Sequence, residues 1–342
     1  MSAGPRQRSS VSVIVPCLNE RATIGGLLSA LRIQTYRGFD VVVADGMSRD
    51  GTRSFLEDHA REHPDLPLRV VENTVRSIPS GLNAAVREAS GDILIRLDAH
   101  SKPADDYVER CLAVLEETHA ANAGGQWVIQ PGADSWIARG IAAAVADLLG
   151  AGDARYRVGG AAGPVDTVPF GAFRREWLER VGGFDETLET NEDYELNWRI
   201  RQAGGLVWFD PRIRCVYYAR SRLRDLARQY WRYGWWKARM ILRHPGSLRP
   251  RQIIPPGFVL GLIALLALSP FHPAAAMSLF LVCGIYLLVL IGRGILLAIR
   301  RSDAALIGGV PLALVVIHFS WGTAALAGLA GLPRHRKGRG TN

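Results

Sequence analysis

The chain has 342 residues, a formal net charge of +9, and 48% hydrophobic residues. A basic balance of this kind fits nucleic acid, membrane lipid or phosphorylated substrates as partners. Its four cysteines are scattered without a C-x-x-C spacing, which argues against a zinc site and a disulfide framework. Residues 1–10 are polar and basic with no apolar stretch before the first strand, so we expect a flexible N-terminus and no signal peptide.

Strands and helices alternate through the first hundred residues. β-Branched and apolar runs predict buried strands, and apolar residues at helical spacing predict the helices between them. The predicted strands are Val11–Val15, Val41–Ala44, Leu68–Val71 and a run through Ile93–Ile95, and the predicted helices are Ala22–Gln34, Thr52–Glu62 and Pro79–Ala89. This order predicts βαβ units and a mainly parallel, Rossmann-like sheet. No G-x-G-x-x-G follows the first strand, which disfavours a dinucleotide site.

Asp98 and His100 follow the fourth predicted strand. Ligands bind at the carboxyl edge of open α/β sheets, and residues two apart in an extended chain point the same way. A carboxylate and an imidazole at that edge suit a divalent metal that also binds phosphate oxygens. The alternative is an Asp that caps the loop after the strand, beside a solvated His.

The next hundred residues are predicted to be less regular. We expect a helix at Asp105–His119, a strand at Gly124–Gln130 and a small-residue helix at Ser135–Leu149. Residues 151–165 are rich in Gly, Ala and Arg and are predicted to form a loop. A strand with a turn (166–173) and a short helix (176–181) follow. A long loop beside a binding site is often functional.

An acidic helix start follows at Asn191-Glu192-Asp193. Acidic residues in a first helical turn are favoured by the helix dipole alone. The functional alternative is that Asp193 faces a pocket and serves as a general base. The dipole would then hold its pKa low and keep it ionised near neutrality.

Aromatic and basic residues are interleaved in the segment Leu223–His244, which is predicted to form one or two helices. Such a segment can lie on a membrane surface, with Trp and Tyr at the headgroup level and Arg beside lipid phosphate. It can equally cover a phosphorylated ligand. Single-stranded nucleic acid ranks last, because apolar segments follow within a few residues.

The chain is mostly apolar from residue 253 to residue 332. We expect three membrane segments at about 255–270, 274–299 and 304–332, the first of them marginal in length. If the soluble part of the chain lies in the cytoplasm, the first two segments form a hairpin that returns Arg300 and Arg301 to the cytoplasm, in accord with the positive-inside rule. A third span would then place the basic tail at 333–342 outside, against that rule, unless one segment is re-entrant or interfacial.

Taken together and in order, the motifs resemble those of family 2 glycosyltransferases, which are inverting, nucleotide-sugar-dependent enzymes of GT-A fold. The resemblance covers roughly residues 11–239. The matching motifs are Val13-Ile-Val-Pro16-Cys-Leu-Asn19-Glu20, Asp45-Gly-Met-Ser-Arg-Asp50-Gly51-Thr52, Asp98-Ala-His100, Asn191-Glu192-Asp193 and Gln229-Tyr-Trp-Arg232-Tyr233. The combination is most similar to the succinoglycan-biosynthesis type, which is membrane-associated and extends a lipid-linked oligosaccharide with glucose as the usual sugar.

The resemblance implies a role for each matching residue. It places Pro16, Asn19, Glu20 and Asp45 around the uracil and ribose of a nucleotide diphosphate sugar, with UDP-glucose expected. Asp98 would bind the donor and, with His100, a divalent metal (Mg or Mn). Asp193 would be the catalytic base, and the neighbouring Glu192 would belong to the acceptor and diphosphate site. Residues Gln229, Arg232 and Tyr233 would close over the diphosphate and acceptor.

The same resemblance predicts the organisation of the chain. The GT-A domain is expected at 11–220, interfacial helices at 221–252 and membrane segments at 253–332. The expected partners are membrane lipid and a polyprenyl-diphosphate-linked saccharide, with no nucleic acid. The expected location is the plasma membrane, with the catalytic domain in the cytoplasm.

Three substitutions depart from the family pattern. Gly46 stands where a second Asp is frequent, His100 replaces the last Asp of the metal motif, and Tyr233 replaces a Trp. The alternatives are a processive polysaccharide synthase of the same fold, a nucleotidyltransferase, and a membrane-tethered protein that binds nucleotide sugars without turnover. A nucleotidyltransferase would need a glycine-rich basic loop after the first strand, and residues 16–20 do not form one.

Overall fold

The computed structural model describes residues 10–331, and its chain divides into two compact units. The first unit comprises residues up to Val128 together with Gly159–Tyr217, and the second comprises Ile129–Val158 together with the chain from Tyr218 onward. The predicted basic tail at 333–342, and all but Ser10 of the predicted flexible N-terminus, lie outside the described residues.

The first unit is built on a mixed sheet whose first half is parallel. Its strands are β1 (Val11–Cys17), β2 (Phe39–Asp45), β3 (Leu68–Glu72), β4 (Ile93–Arg96), β5 (Lys102–Pro103), β6 (Asn122–Gln130), β7 (Gly163–Pro164), β8 (Ala172–Arg174) and β9 (Val207–Tyr218). Its helices are α1 (Ile24–Arg32), α2 (Thr52–Glu62), α3 (Ile78–Glu88), α4 (Tyr107–Thr118), and, after the 129–158 segment, α8 (Arg175–Val181) and α9 (Glu192–Gln202).

The strand order is β3-β2-β1-β4-β8-β6-β9-β5, with β7 paired to β9. Strand β1 lies between β2 and β4 and is parallel to both, so the loops after these three strands emerge at one edge of the sheet. Every residue of β1 is buried, as expected for a β-branched strand covered on both faces. The predicted α/β fold with a mainly parallel nucleotide-type half is therefore confirmed.

Two parts of the first unit differ from the expectation. The antiparallel strand β9 was not predicted, because Asp210, Pro211 and two arginines interrupt its apolar pattern. Residues 166–171 of the predicted strand at 166–173 do not pair, and the strand in this region, β8 (Ala172–Arg174), lies between β4 and β6. Antiparallel strands with one polar face carry a weaker sequence signal than buried parallel ones.

The second unit is helical. It contains α5 (Trp136–Val145), α6 (Leu148–Ala151), α7 (Arg155–Val158), α10 (Leu223–Arg243), a 3₁₀ turn (Pro245–Ser247), α11 (Pro250–Leu268), α12 (Pro273–Arg301) and α13 (Leu306–Leu329). Helices α11, α12 and α13 are long and apolar enough to cross a membrane. The described bounds lie close to the three predicted segments.

Helix α13 is the centre of the second unit and contacts α5, α10, α11 and α12. Small residues allow this close packing: a Cβ atom on Gly140 would lie 2.4 Å from the backbone of Gly309, and one on Gly234 would lie 2.3 Å from the carbonyl oxygen of Trp321. Residues 129–158 were expected to belong to the soluble domain at 11–220. In the structure they group with the apolar helices, because α5 packs against α13.

One ion pair joins the 129–158 segment to a membrane helix. The Nε and Nη2 atoms of Arg293 lie 2.8 and 2.6 Å from Oδ2 of the buried Asp147. The other carboxylate oxygen of Asp147 accepts from the amide of Leu149 and caps α6. Beside this pair, His318 Nε2 lies 2.8 Å from the carbonyl oxygen of Leu149.

Candidate active site

The loops after β1 and β2 are joined by hydrogen bonds into one surface at the carboxyl edge of the sheet. The amide of Asn19 donates to Ser48 Oγ (2.8 Å), and Asn19 Oδ1 accepts from the amide of Arg49 (2.9 Å). Glu20 donates its amide to Thr52 Oγ1 at 3.0 Å. Asn19 has a φ of 55°, a left-handed conformation in which Asn is enriched. These contacts fix the predicted donor-binding residues in one place.

Asp50 holds the second of these loops in shape. Its carboxylate accepts from Thr52 Oγ1 (2.5 Å) and from the amides of Thr52 and Arg21. The hydrogen bond from Thr52, together with these backbone donors, lowers the pKa of Asp50. A carboxylate that stays ionised therefore closes the turn at neutral pH.

Two of the predicted donor-binding residues are buried. Pro16 lies inside β1, and Asp45 at the end of β2 has no exposed surface. The carboxylate of Asp45 accepts from Ser48 Oγ at 2.5 Å and from its amide at 3.2 Å. In this structure Asp45 therefore shapes the turn of its own loop, which is the alternative role for an Asp at such a position. Its contact with a ribose or base stays a prediction.

His100 lies against Glu20, across the loops after β4 and β1. His100 Nδ1 is 3.3 Å from Glu20 Oε1. Burial raises the pKa of Glu20, but hydrogen bonds from His100 and Thr23 outweigh it, and the pKa is lowered overall. Glu20 is therefore ionised over the physiological range.

The reasoning that placed Asp98 and His100 side by side in an extended chain was wrong. Strand β4 ends at Arg96, and the amide of Ser101 donates to the carbonyl oxygen of Asp98 at 2.8 Å, so residues 98–101 form a turn. The amide of Asp98 in turn donates to Ser101 Oγ at 3.0 Å. The alternation of an extended strand therefore does not apply to these two side chains.

Asp98 contacts an arginine that was not predicted to belong to the site. Arg96 is the last residue of β4 and only 4% exposed. Its Nη2 lies 3.2 Å from Asp98 Oδ1 and 2.9 Å from Glu192 Oε1. Burial disfavours its charge, but Asp98 and Glu192 outweigh this effect, and the pKa of Arg96 lies above its ordinary value. A lone charged residue within an apolar strand is the signal that could have identified it.

Asp193 stands in the first turn of α9, next to Glu192. Burial raises the pKa of Asp193 to about 6, the charge of Glu192 adds to this effect, and Arg96 opposes it. The expectation that the helix dipole would keep this pKa low was wrong, because desolvation and a neighbouring carboxylate outweigh a partial charge. An acid with a pKa near neutrality suits general-base chemistry.

Polar contacts in the interior hold α9 in place. Tyr194 donates its hydroxyl to Asp166 Oδ2 (3.0 Å), and Asn197 donates to the carbonyl oxygen of Val168 (3.0 Å) while accepting from Asn122 (2.6 Å). Asn191, at the N-cap, has a φ of 70°. A left-handed conformation at a residue other than glycine is maintained where surrounding contacts hold it in place, often at functional sites. The position of Asp193 is thus set by the core of the unit.

The remaining predicted site residues belong to α10 in the second unit. Gln229 Nε2 donates to the hydroxyl of Tyr233 at 2.9 Å, one helical turn away, and Arg232 is exposed. Tyr233 also meets the ring of Tyr230 edge-on. Their action on a diphosphate or acceptor stays a prediction.

Among residues 10–331, no three His, Cys, Asp or Glu side chains are placed to hold a metal ion. Magnesium and manganese sites that act on phosphates often use one or two protein ligands and take the other oxygens from the substrate. The donor set of Asp98, Glu20 and His100 at one sheet edge is compatible with that kind of site. It does not form a complete metal cage by itself.

Residues 12–182 match the model of Glycosyl transferase family 2. Succinoglycan biosynthesis protein ExoA of Rhizobium meliloti (strain 1021) is 31% identical over 94% of this chain and 95% of its own. The chain belongs to glycosyltransferase family 2. The family model ends before Asp193, but the alignment with ExoA covers nearly the whole chain.

Two further proteins are similar to this chain. A dolichyl N-acetyl-alpha-D-glucosaminyl phosphate 3-beta-D-2,3-diacetamido-2,3-dideoxy-beta-D-glucuronosyltransferase of Methanococcus voltae is 24% identical over 75% of this chain and 81% of its own. The mannosyltransferase PcManGT from Pyrobaculum calidifontis, in complex with GDP-Man and Mn²⁺, has a TM-score of 0.63 at 24% identity, covering 96% of this chain and 89% of its own. This structural likeness establishes the GT-A-like fold of the glycosyltransferase.

Proposed function

We propose that this family 2 glycosyltransferase is a membrane-anchored, inverting hexosyltransferase. It transfers glucose from UDP-glucose to a polyprenyl-diphosphate-linked saccharide in exopolysaccharide or cell-envelope glycan synthesis. The observation that carries the proposal is the setting of Asp193, a carboxylate with a raised pKa. The buried Arg96 acts on its charge and also binds Asp98 and Glu192. The name of the Methanococcus voltae relative, a transferase that acts on a dolichyl-linked sugar phosphate, supports a lipid-linked acceptor, and the name of ExoA supports exopolysaccharide synthesis.

In this proposal Asp193 takes the proton from the acceptor hydroxyl as that oxygen attacks the anomeric carbon. The attack comes from the face opposite the departing nucleoside diphosphate, so a single displacement converts an α-linked donor into a β-linked product. A base with a pKa of about 6 is ionised at neutral pH and still basic enough to accept the proton. Glu192 lies beside it on the acceptor side.

Asp98, with His100, would hold a divalent metal, either Mg²⁺ or Mn²⁺, that neutralises charge on the departing diphosphate. The complex of PcManGT with Mn²⁺ supports this assignment. The loops after β1 and β2, with Asn19 and Glu20 at their junction, would bind the nucleoside. The motif resemblance assigns Gln229, Arg232 and Tyr233 to the diphosphate and acceptor, and the planar guanidinium of Arg232 suits phosphate oxygens.

The three apolar helices would anchor the enzyme in the plasma membrane, with the catalytic unit in the cytoplasm where nucleotide sugars are made. They would also bring a polyprenyl acceptor to the enzyme. Interleaved Trp, Tyr and Arg residues of α10 suit the headgroup region of the same membrane.

A donor panel tests the proposal. Purified protein in lipid nanodiscs is incubated with UDP-glucose, UDP-galactose, UDP-GlcNAc or GDP-mannose and a polyprenyl-diphosphate saccharide. Sugar transfer to the lipid is then measured, with product length and anomeric configuration determined by NMR. We expect a single β-linked glucose added from UDP-glucose. Long polymers would instead indicate a processive synthase, and no lipid-linked product from any donor would contradict the proposal.

A further inference from the structure

Arg96 is an unusual residue for its position in the sheet. It ends β4, which lies between β1 and β8 near the middle of the strand order, and its side chain is 5% exposed. The preceding residues, Ile93, Leu94 and Ile95, are fully apolar and buried. An arginine buried in such a place is destabilising unless its charge is paired, and a hydrophobic residue of similar volume is often at least as stable. Its presence therefore calls for a reason beyond stability.

The two partners of Arg96 come from opposite sides of the proposed reaction. Asp98 follows β4 and belongs to the donor side, whereas Glu192 opens α9 on the acceptor side, 96 positions after Arg96. One nitrogen atom, Nη2, serves both carboxylates, at 3.2 and 2.9 Å. Because the same atom binds both groups, a shift of either carboxylate changes its contact with the other.

The hydrogen bonding of Arg96 is incomplete, unlike that of an arginine on α9. Arg199, on α9, uses all three of its nitrogens: Nε binds Glu195, Nη1 binds the carbonyl oxygen of Val181, and Nη2 binds the carbonyl oxygen of Gly183. In Arg96, Nη1 is buried and has no hydrogen-bond partner among the residues that the structure describes. Buried donors are usually hydrogen-bonded, and an exception calls for an explanation. Arg199 fits a structural role, and Arg96 does not.

We propose that Arg96 is a positioning residue that holds the donor-side carboxylate Asp98 and the acceptor-side Glu192–Asp193 pair at a fixed separation. The inference rests on the proposed function and deepens it. The guanidinium acts through these carboxylates and takes no part in bond making. Since displacement, attack and proton removal occur in one step, the distance between the two sides determines the transfer rate more than it determines the affinity for nucleotide.

The test compares Arg96→Lys and Arg96→Met with a matched control, Arg212→Met. Arg212 also joins two carboxylates through one Nη2 atom, at 2.7 Å from Glu117 and 2.9 Å from Asp210, but it lies on the surface. Lysine keeps the charge of Arg96 and lacks the planar fork, so it separates geometry from charge. Each variant is assayed for UDP binding, for kcat and KM of transfer, and for the ratio of transfer to donor hydrolysis.

We expect Arg96→Lys to bind UDP as the wild type does, to lose about 10-fold or more in kcat, and to release a larger share of the sugar to water. Arg96→Met should lose more kcat than Arg96→Lys. If Arg96→Met does not fold, Arg96→Lys alone tests the positioning role. Arg212→Met should match the wild type. Wild-type kcat and transfer ratio in Arg96→Lys would overturn the positioning role while leaving the proposed function intact. A wild-type protein that transfers no sugar from any donor would overturn both.

Discussion

At the scale of single residues, the protonation of Asp193 depends on its surroundings more than on its place in a helix. The helix dipole at the first turn of α9 favours the ionised form of Asp193. Burial and the adjacent Glu192 nevertheless raise the pKa of Asp193, and Arg96 offsets these two effects only in part. A sequence shows which residues start a helix. It does not show how much water reaches them or which distant side chain lies beside them.

This raised pKa predicts the pH dependence of the reaction. A general base works only when it is ionised, so lowering the pH through the pKa of Asp193 should remove activity. We expect kcat/KM to fall with decreasing pH around an apparent pKa of about 6, well above the ordinary value of 3.8 for an aspartate. The measurement is a pH profile of kcat/KM, which reports the groups of the free enzyme. A decline that begins only near the ordinary value would contradict the assignment.

A variant that removes the carboxylate of Asp193 complements the pH profile. Asp193→Asn should fold and bind UDP but lose transfer by about 100-fold or more, because the amide cannot accept the proton. Asp185→Asn is the control, since Asp185 Oδ1 accepts from the amide and hydroxyl of Thr187, and the side-chain oxygen of an Asn can accept the same bonds. Near-normal turnover of Asp193→Asn would remove it as the base.

The proposed role of Asp98 as a metal ligand predicts how its removal changes metal binding and metal-stimulated transfer. If Asp98 supplies the main protein ligand, Asp98→Ala should lose the stimulation of transfer by Mn²⁺ or Mg²⁺ and should no longer bind Mn²⁺ in the presence of UDP. The binding can be followed by electron paramagnetic resonance, without reference to turnover. His100→Ala should weaken the same signal to a smaller degree. Full activity of the wild type in excess chelator would rule out the metal site.

At the scale of elements, patterns in the sequence predicted the parallel half of the sheet well and the antiparallel half poorly. β1, β2 and β3 are short, mostly apolar runs that are each followed by a helix, and such runs have few other ways to fold. β9 alternates buried with half-buried or polar residues, and β8 pairs over only three residues. The candidate site shows the same contrast. Its motif residues could be recognised from the sequence, but the role of Arg96 and the turn at Asp98 depend on contacts that no local sequence pattern contains.

The contact between α5 and α13 predicts different effects for neighbouring glycines. Gly140→Ala would place a Cβ atom 2.4 Å from the backbone of Gly309 and force the two helices apart. Gly308→Ala is the control: its Cβ atom would meet only the ring of Trp136, at 3.6 Å. Ala is otherwise favoured over Gly within a helix by about 1 kcal/mol. In detergent, thermal unfolding should show Gly140→Ala destabilised and Gly308→Ala unchanged or stabilised; equal effects would contradict the close contact.

The ion pair between Asp147 and Arg293 predicts an asymmetric pair of variants. Arg293→Leu leaves the buried Asp147 without its cation and should cost about 3–5 kcal/mol. The double variant Arg293→Leu/Asp147→Asn should recover much of this loss, because Asn is neutral and can still cap α6. The free energy of unfolding in mixed micelles distinguishes the two. A double variant as unstable as the single one would show that charge is not the cause.

At the scale of the whole molecule, the three apolar helices predict a topology. Helix α12 has 29 residues, about 43 Å in length, which exceeds the roughly 30 Å hydrocarbon core of a bilayer and lets Arg300 and Arg301 reach the surface. With the catalytic unit in the cytoplasm and α11 and α12 both spanning, these arginines return to the cytoplasm.

Reporter fusions test this topology. A fluorescent protein fused after Asp303, between α12 and α13, should fluoresce, and alkaline phosphatase at the same site should be inactive. Phosphatase fused after Leu332 should be active if α13 also spans. Active phosphatase after Asp303 would contradict the predicted orientation, and an inactive fusion after Leu332 would show that one of the three helices does not cross.

The packing of α5 against α13 also bears on how the protein is made. The ribosome produces Trp136–Val145 long before it produces Leu306–Leu329, so α5 emerges without the helix that covers it. The mostly buried residues of α5 must remain exposed, or be shielded by lipid or a chaperone, until the C-terminal helix is inserted. Synthesis that stops before Leu306 would therefore leave an apolar segment uncovered in the middle of the chain, and such products should be prone to aggregation and early degradation.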